Sequence, residues 1–125
     1  MQMNKGDLVS VEETLLRRVY KSDKHYIDKR TGRPTSRAFA PRPKDEGRLS
    51  VDIKSLTSFF EAIGDERRFL LFSILSKIVC DLNLQCIYDP EDYNLAHALI
   101  TGFDPNDESI PGILARTSIK ETPNF

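Results

Sequence analysis

The sequence predicts an α+β fold: a small single domain, residues 1–125, with a mostly buried central helix at about 65–82, few short strands and a long basic loop. Three observations predict it. The chain has 125 residues, the size of one domain, and its 39% apolar content is enough for one core without a disulfide or metal staple. Residues 69–82 form the longest apolar stretch, and the polar Glu66, Ser73, Ser76, Lys77 and Asp81 share one arc of about 140° on a helical wheel. Residues 21–48 lack apolar periodicity and hold Pro34, Pro41, Pro43, Gly32, Gly47 and nine basic side chains.

The ends, residues 1–9 and 120–125, read as loose. Ser10-Val11-Glu12-Glu13 fits a capping box with Val11, Leu15, Leu16 and Val19 at helical spacing, yet residues 15–20 fit an entry strand equally well. Helix and strand therefore stay open for residues 11–20. The basic segment 21–48 follows as an extended, solvated stretch. It is longer than a compact domain leaves structureless, so it is functional or orders on a partner, with Ala38-Phe39-Ala40 as its one anchor. Leu49, Val51 and Ile53 alternate with polar neighbours, the signature of a half-buried strand. Ser55 or Thr57 caps a short helix through Ile63, Gly64 stops it, and Asp65 with Glu66 opens the long helix at its positive end. Asn83-Leu84 ends that helix, and Gln85-Cys86-Ile87-Tyr88 is a short strand closed by Asp89-Pro90. Residues 94–101 are apolar on one side with Gly102 as a stop, and Pro111 suits the first turn of a last helix to about Ser118.

Eighteen basic and nineteen acidic residues give a formal charge of -1, which excludes coating nucleic acid or membrane by bulk charge. The charge is unevenly placed. Residues 1–50 carry twelve Lys and Arg against seven acids, whereas residues 51–125 carry six against twelve. A surface for anions is thus expected in the first half. The apolar stretch falls short of the roughly 20 residues a bilayer requires, so no membrane partner is expected, and the first residues lack the apolar region of a secretory signal, so the expected location is cytoplasmic. Cys80 and Cys86, in apolar surroundings, read as two core thiols in a reducing compartment.

Several chemistries have no signature. The six glycines match no phosphate-cradling loop, and no cofactor is expected. No G-x-S-x-G elbow occurs and His25 and His97 are the only histidines, so a hydrolase triad is not expected. The acidic runs at 89–92 and 104–108 lack the glycine and glutamate of a calcium loop. Pro43-Lys44-Asp45 followed by Asp52-Ile53-Lys54 resembles the PD…(D/E)xK arrangement of metal-dependent nucleases, in which two carboxylates hold the ion and the lysine steadies the attacking water. A chain of this composition carries about one such D/E-x-K by chance. Asp45, Asp52 and Lys54 form one catalytic alternative; His97, set among small neighbours, forms another together with Arg17 and Arg18. Arg17-Arg18 beside Tyr20 also suits a phosphate or nicotinamide dinucleotide. The late glutamate that ADP-ribosyltransferase-like folds use has only Glu121, in the tail, to supply it.

The basic segment offers a more direct reading. Lys29-Arg30-Thr31-Gly32-Arg33-Pro34-Thr35-Ser36-Arg37 looks like an AT-hook, in which glycine lets the backbone approach the minor groove and proline keeps it extended, although Thr31 stands where that motif has arginine. More broadly, Arg17, Arg18, Lys24, Lys29, Arg30, Arg33, Arg37, Arg42 and Arg48 are expected to meet nucleic acid or an acidic face of a larger protein.

Four stretches carry a family resemblance: Leu15-Leu16-Arg17-Arg18-Val19, Gly32-Arg33-Pro34-Thr35-Ser36-Arg37-Ala38-Phe39, Asp45-Glu46-Gly47-Arg48-Leu49-Ser50-Val51-Asp52 and Asn94-Leu95-Ala96-His97-Ala98. Together they resemble a family of small uncharacterised bacterial proteins over residues 15–102. The resemblance implies bacterial origin and a neighbourhood of toxin or phage-defence genes, with no activity attached. The functional expectation is a non-enzymatic binding or accessory module, with a metal nuclease or another small enzyme as the alternative.

Overall fold

A computed structural model describes residues 3–123 and shows a six-stranded sheet in which every pairing is antiparallel. Its strands are β1 (Thr14–Tyr20), β2 (Leu49–Ile53), β3 (Phe69–Leu75), β4 (Gln85–Tyr88), β5 (His97–Thr101) and β6 (Ile119–Lys120), in the order β4-β5-β2-β1-β3-β6. Three short helices accompany it: α1 (Phe59–Ile63), α2 (Ser76–Asp81) and α3 (Ser109–Thr117). The expected helix-centred architecture with few strands is overturned. The sheet is the organising layer and the helices cover it.

The error lies in residues 65–82, where β3 takes the place of most of the expected helix and only Ser76–Asp81 is helical. The physical reason is burial on both faces. Leu70, Phe72 and Ile74 face the main core, while Phe69 and Leu71 pack with Leu16, Ala62 and Ile63 under α1 on the other side. A strand buried on both faces is apolar at every position, so its period disappears, and its length and β-favouring Phe and Ile decide its form instead. The same logic settles residues 14–20 as a strand, since β1 pairs with β3 along its whole length, from Thr14 opposite Leu75 to Tyr20 opposite Phe69. The expected strands at 49–53 and 85–88 and the last helix from Ser109 to Thr117 are present.

The main core lies on one face of the sheet, where Leu15, Val19, Val51, Phe72, Ile74, Ala98 and Ile100 meet Leu114 of α3 and Val79 of α2. Ala38 and Phe39 join it, both 1% exposed or less, from a 3-10 turn at Ser36–Phe39. The basic segment is therefore folded onto the sheet rather than extended. Ile27 is buried and bridges Pro34, and a second turn spans Pro43–Asp45. The anchor expected at Ala38 and Phe39 is where the segment attaches.

Neither end is loose where it is described. Gly6 and Val9 donate to the carbonyls of Tyr88 and Cys86, and Tyr88 donates to Asp7, so residues 6–9 run along β4 and cover that edge. Lys120 lies in β6, and the Glu121 carboxylate meets Lys54 at 2.7 Å. The outermost positions of both expected loose ends, 1–2 and 124–125, lie outside the described residues. Among the described residues no helix is long and apolar enough to cross a membrane. Cys86 is in the core as expected, but Cys80 is exposed on α2.

Candidate functional site

The registers of β1 create an opening. Against β3 it pairs at seven positions, but against β2 only Leu15 with Ile53 and Leu16 with Asp52 are paired. Beyond that point β2 stays with β5, through Asp52 opposite His97 and Ser50 opposite Leu99, while β1 follows β3. The two central strands splay apart. Arg17 fills the wedge: its Nε donates to the Ala38 carbonyl at 2.9 Å and its Nη1 donates to the Ser50 carbonyl at 2.9 Å. A side chain thus satisfies a main-chain acceptor that a continuous ladder would have served. Burial, and then the nearby Arg42 charge, lowers the Arg17 guanidinium to about 10, so it stays protonated at neutral pH.

Above the wedge lies a groove of about 790 Å³. Arg17, Arg18, Arg37 and Arg42 line it together with Tyr20 and Tyr26, and Asp52, Glu61, Glu91 and Asp92 line it as well. The walls are thus of mixed sign, with arginines from two separated chain segments. Arg18 sits over the Phe69 ring at 4.4 Å, and Tyr20 stacks at a tilt on Phe69 with centroids 4.7 Å apart. Arg42 meets Asp45 at 3.2 Å. Burial acts to raise the Asp45 carboxyl, but the Arg42 main-chain N–H and guanidinium hold it below its ordinary value.

A second, shallower hollow of about 640 Å³ adjoins the first. Lys24, Lys29, Arg67 and Arg68 line it, and Tyr20 belongs to both hollows. Arg68 sits over the Tyr20 ring at 5.8 Å and over Phe69 at 5.2 Å. The aromatic pair Tyr20 and Phe69 is therefore flanked by two arginines, Arg18 and Arg68, where the mixed-sign groove meets the more basic second hollow.

Of the expected binding residues, Arg17, Arg18, Arg37 and Arg42 meet in the groove, and Lys24 and Lys29 lie in the adjoining hollow. The other three do not join them. Arg33 turns inward, donating to the carbonyls of Ala115 and Ser118 at 3.0 and 2.8 Å and lying over the Phe72 ring. Arg30 stands beside Asp28 at 4.0 Å and Arg48 pairs with Glu46 at 3.0 Å. The stretch that looks like an AT-hook is thus folded so that its central arginine is structural, while Arg67 and Arg68 had no sequence signal beyond their charge.

The nuclease alternative is not assembled. Asp45 accepts from Arg42, Lys54 is paired with Glu121, and only Asp52 lines the groove, where it accepts from the Asn94 side chain at 2.8 Å. Among the described residues no three His, Cys, Asp or Glu side chains converge as metal ligands. Glu121 lies against Ser73, with which it shares a 3.0 Å hydrogen bond, and does not line the groove with Arg17 and Arg18.

His97 is engaged on both sides of its ring. Nδ1 lies 2.8 Å from the Asp89 carbonyl, 3.1 Å from the Asp89 carboxylate and 3.7 Å from that of Glu91; Nε2 lies 3.2 Å from the Ser50 hydroxyl. A main-chain carbonyl can only accept, so Nδ1 carries the proton and Nε2 presents a lone pair to Ser50 in the neutral ring. The sequence marked His97 but neither Ser50 nor Asp89. The β2–β5 register brings Ser50 and His97 to one face on a diagonal, a relationship the alternating pattern alone does not contain.

No protein-family model, curated protein or solved structure matches the chain.

Proposed function

We propose that the protein is a binding module for single-stranded nucleic acid, which lies along the two joined hollows. One observation carries the reading: Tyr20 lines both hollows, of which the first also holds Arg18, Arg37 and Arg42 and the second Lys24, Lys29, Arg67 and Arg68. A strand needs a cationic track for its phosphates and π faces for its bases, and Tyr20 and Tyr26, which line the groove with its arginines, offer the second. The carboxylates of Asp52 and Glu91 supply acceptors for exocyclic amino groups. The mixed walls favour a strand over an acidic protein face, which would gain nothing from those carboxylates. The resemblance over residues 15–102 is what supports a bacterial setting.

The test is fluorescence anisotropy with labelled oligo(dT) and oligo(rA) over a salt series. Neutralising four or five phosphates gives a log-affinity against log-salt slope of about -3 for a single strand. Absent or salt-insensitive binding overturns the reading, and preferential binding of a poly-glutamate peptide transfers it to an acidic protein partner.

A further inference from the structure

We infer that Ser50 is an activated nucleophile and that the groove transfers the acyl group of a carboxylic ester, borne by an anionic carrier, to water. The inference rests on the groove reading only for the charge of the carrier. The nucleophile stands on separate geometry.

Ser50 is exposed in the groove and its hydroxyl lies 3.2 Å from His97 Nε2, at the outer edge of hydrogen-bond reach, where such contacts commonly sit before substrate binds. The ring behind it is fixed. Its Nδ1–H is shared between the Asp89 carbonyl at 2.8 Å and the Asp89 carboxylate at 3.1 Å, which sets the tautomer and places a negative charge where an imidazolium would need it. A hydroxyl, an imidazole and a carboxylate in this sequence are recognised by geometry and role, not by chain position, and here β2, β5 and the turn after β4 supply one each. Arg17 donates to the Ser50 carbonyl at 2.9 Å and so fixes the main chain that carries the nucleophile.

The step balances without a cofactor. Ser50 Oγ bonds to the ester carbonyl carbon while its proton passes to His97 Nε2. The carbon–oxygen bond to the carrier then breaks, and the carrier leaves as its alcohol with that proton. Water adds to the acyl-serine through the same base, releasing the carboxylic acid and restoring Ser50. Arg18, Arg37 and Arg42, lining the same groove, are placed to hold the carrier's anionic groups.

The full chain is incubated with a fluorophosphonate probe, which a serine of this kind attacks at phosphorus with loss of fluoride. The expected result is one adduct, mapped by peptide mass spectrometry to Ser50, absent in Ser50→Ala and slowed at least about a hundredfold in His97→Gln and Asp89→Asn. Because the adduct is located on the unaltered protein, the result does not depend on any variant's folding. No adduct under conditions that label a control serine hydrolase, or an adduct elsewhere, overturns the nucleophile. In a second arm, 4-acetoxy-3-nitrobenzoate, whose leaving alcohol bears the anion, is compared with neutral 2-nitrophenyl acetate, each corrected for its spontaneous hydrolysis. Faster turnover of the acetoxybenzoate by about tenfold or more supports the anionic carrier; equal turnover alongside a Ser50 adduct overturns the carrier while the nucleophile stands, and the strand-binding reading is decided separately by the anisotropy titrations.

Discussion

Arg33 donates from Nη2 to the Ser118 carbonyl at 2.8 Å and to the Ala115 carbonyl at 3.0 Å, joining the basic segment to the last turn of α3. A helix ends with carbonyls that lack partners, and here a cation from the other half of the chain serves them and favours the negative end of the helix. Arg33→Ala removes the side-chain donor from the Ser118 carbonyl and the guanidinium from the Phe72 face, while the Ala115 carbonyl still accepts from the Ser118 hydroxyl at 2.8 Å. The expected loss is about 3 kcal/mol in urea denaturation, only partly recovered by Arg33→Lys, whose ammonium lacks the planar geometry.

Arg48 and Arg42 are both exposed and ion-paired, but only Arg42 lines the groove. Arg42→Ala and Arg37→Ala each make the oligonucleotide salt slope shallower by about 0.7, whereas Arg48→Ala leaves it unchanged. Anisotropy titrations at several salt concentrations read this. Equal effects of all three would mean that general charge, not the groove, attracts the strand.

Gly64 ends α1 with φ of 71°, and a Cβ there would stand 2.9 Å from Arg18 Nη1. Gly64→Ala therefore combines an unfavourable backbone with displacement of Arg18 from the Phe69 ring. Stability falls by about 1–2 kcal/mol in urea denaturation. Oligonucleotide affinity falls with it, because Arg18 moves.

The two thiols differ in chemistry. Cys80 is exposed, and burial pushes the Cys86 thiol from 9.0 up to about 12. A thiol reagent at pH 8 modifies Cys80 alone in the folded protein and both thiols in denaturant. The sign of the linkage follows from the raised value: the folded state keeps the Cys86 proton that the unfolded chain releases near pH 9. This contribution is complete below pH 9 and is lost as pH rises toward 12, at on the order of 1 kcal/mol per pH unit. Cys86→Ala removes that slope from the alkaline stability profile.

Strand β2, strand β4 and helix α3 were legible because each has one face in water, which leaves a period or a terminus marker such as Pro111. Strand β3 was not, since apolar neighbours on both faces erase its alternation. For the candidate site, Arg17, Arg18, Arg37, Arg42 and His97 stood out by residue type alone. Ser50, Asp89, Arg67 and Arg68 carried no such mark, and nothing in the order of residues separates Arg33, which turns inward, from Arg37, which lines the groove.

By itself the sequence determined the local matters: the alternation of Leu49, Val51 and Ile53, the stop at Gly64, the anchor at Ala38 and Phe39, and the concentration of basic charge before residue 50. These depend on neighbours a few residues apart, whose geometry the chain's own covalent period dictates. Only the tertiary structure decided which cations face solvent, where β1 and β2 part, and that Ser50, His97 and Asp89 share one line of hydrogen bonds. Those outcomes depend on strand order and register, which are set by burial of the whole sheet and not by any single segment.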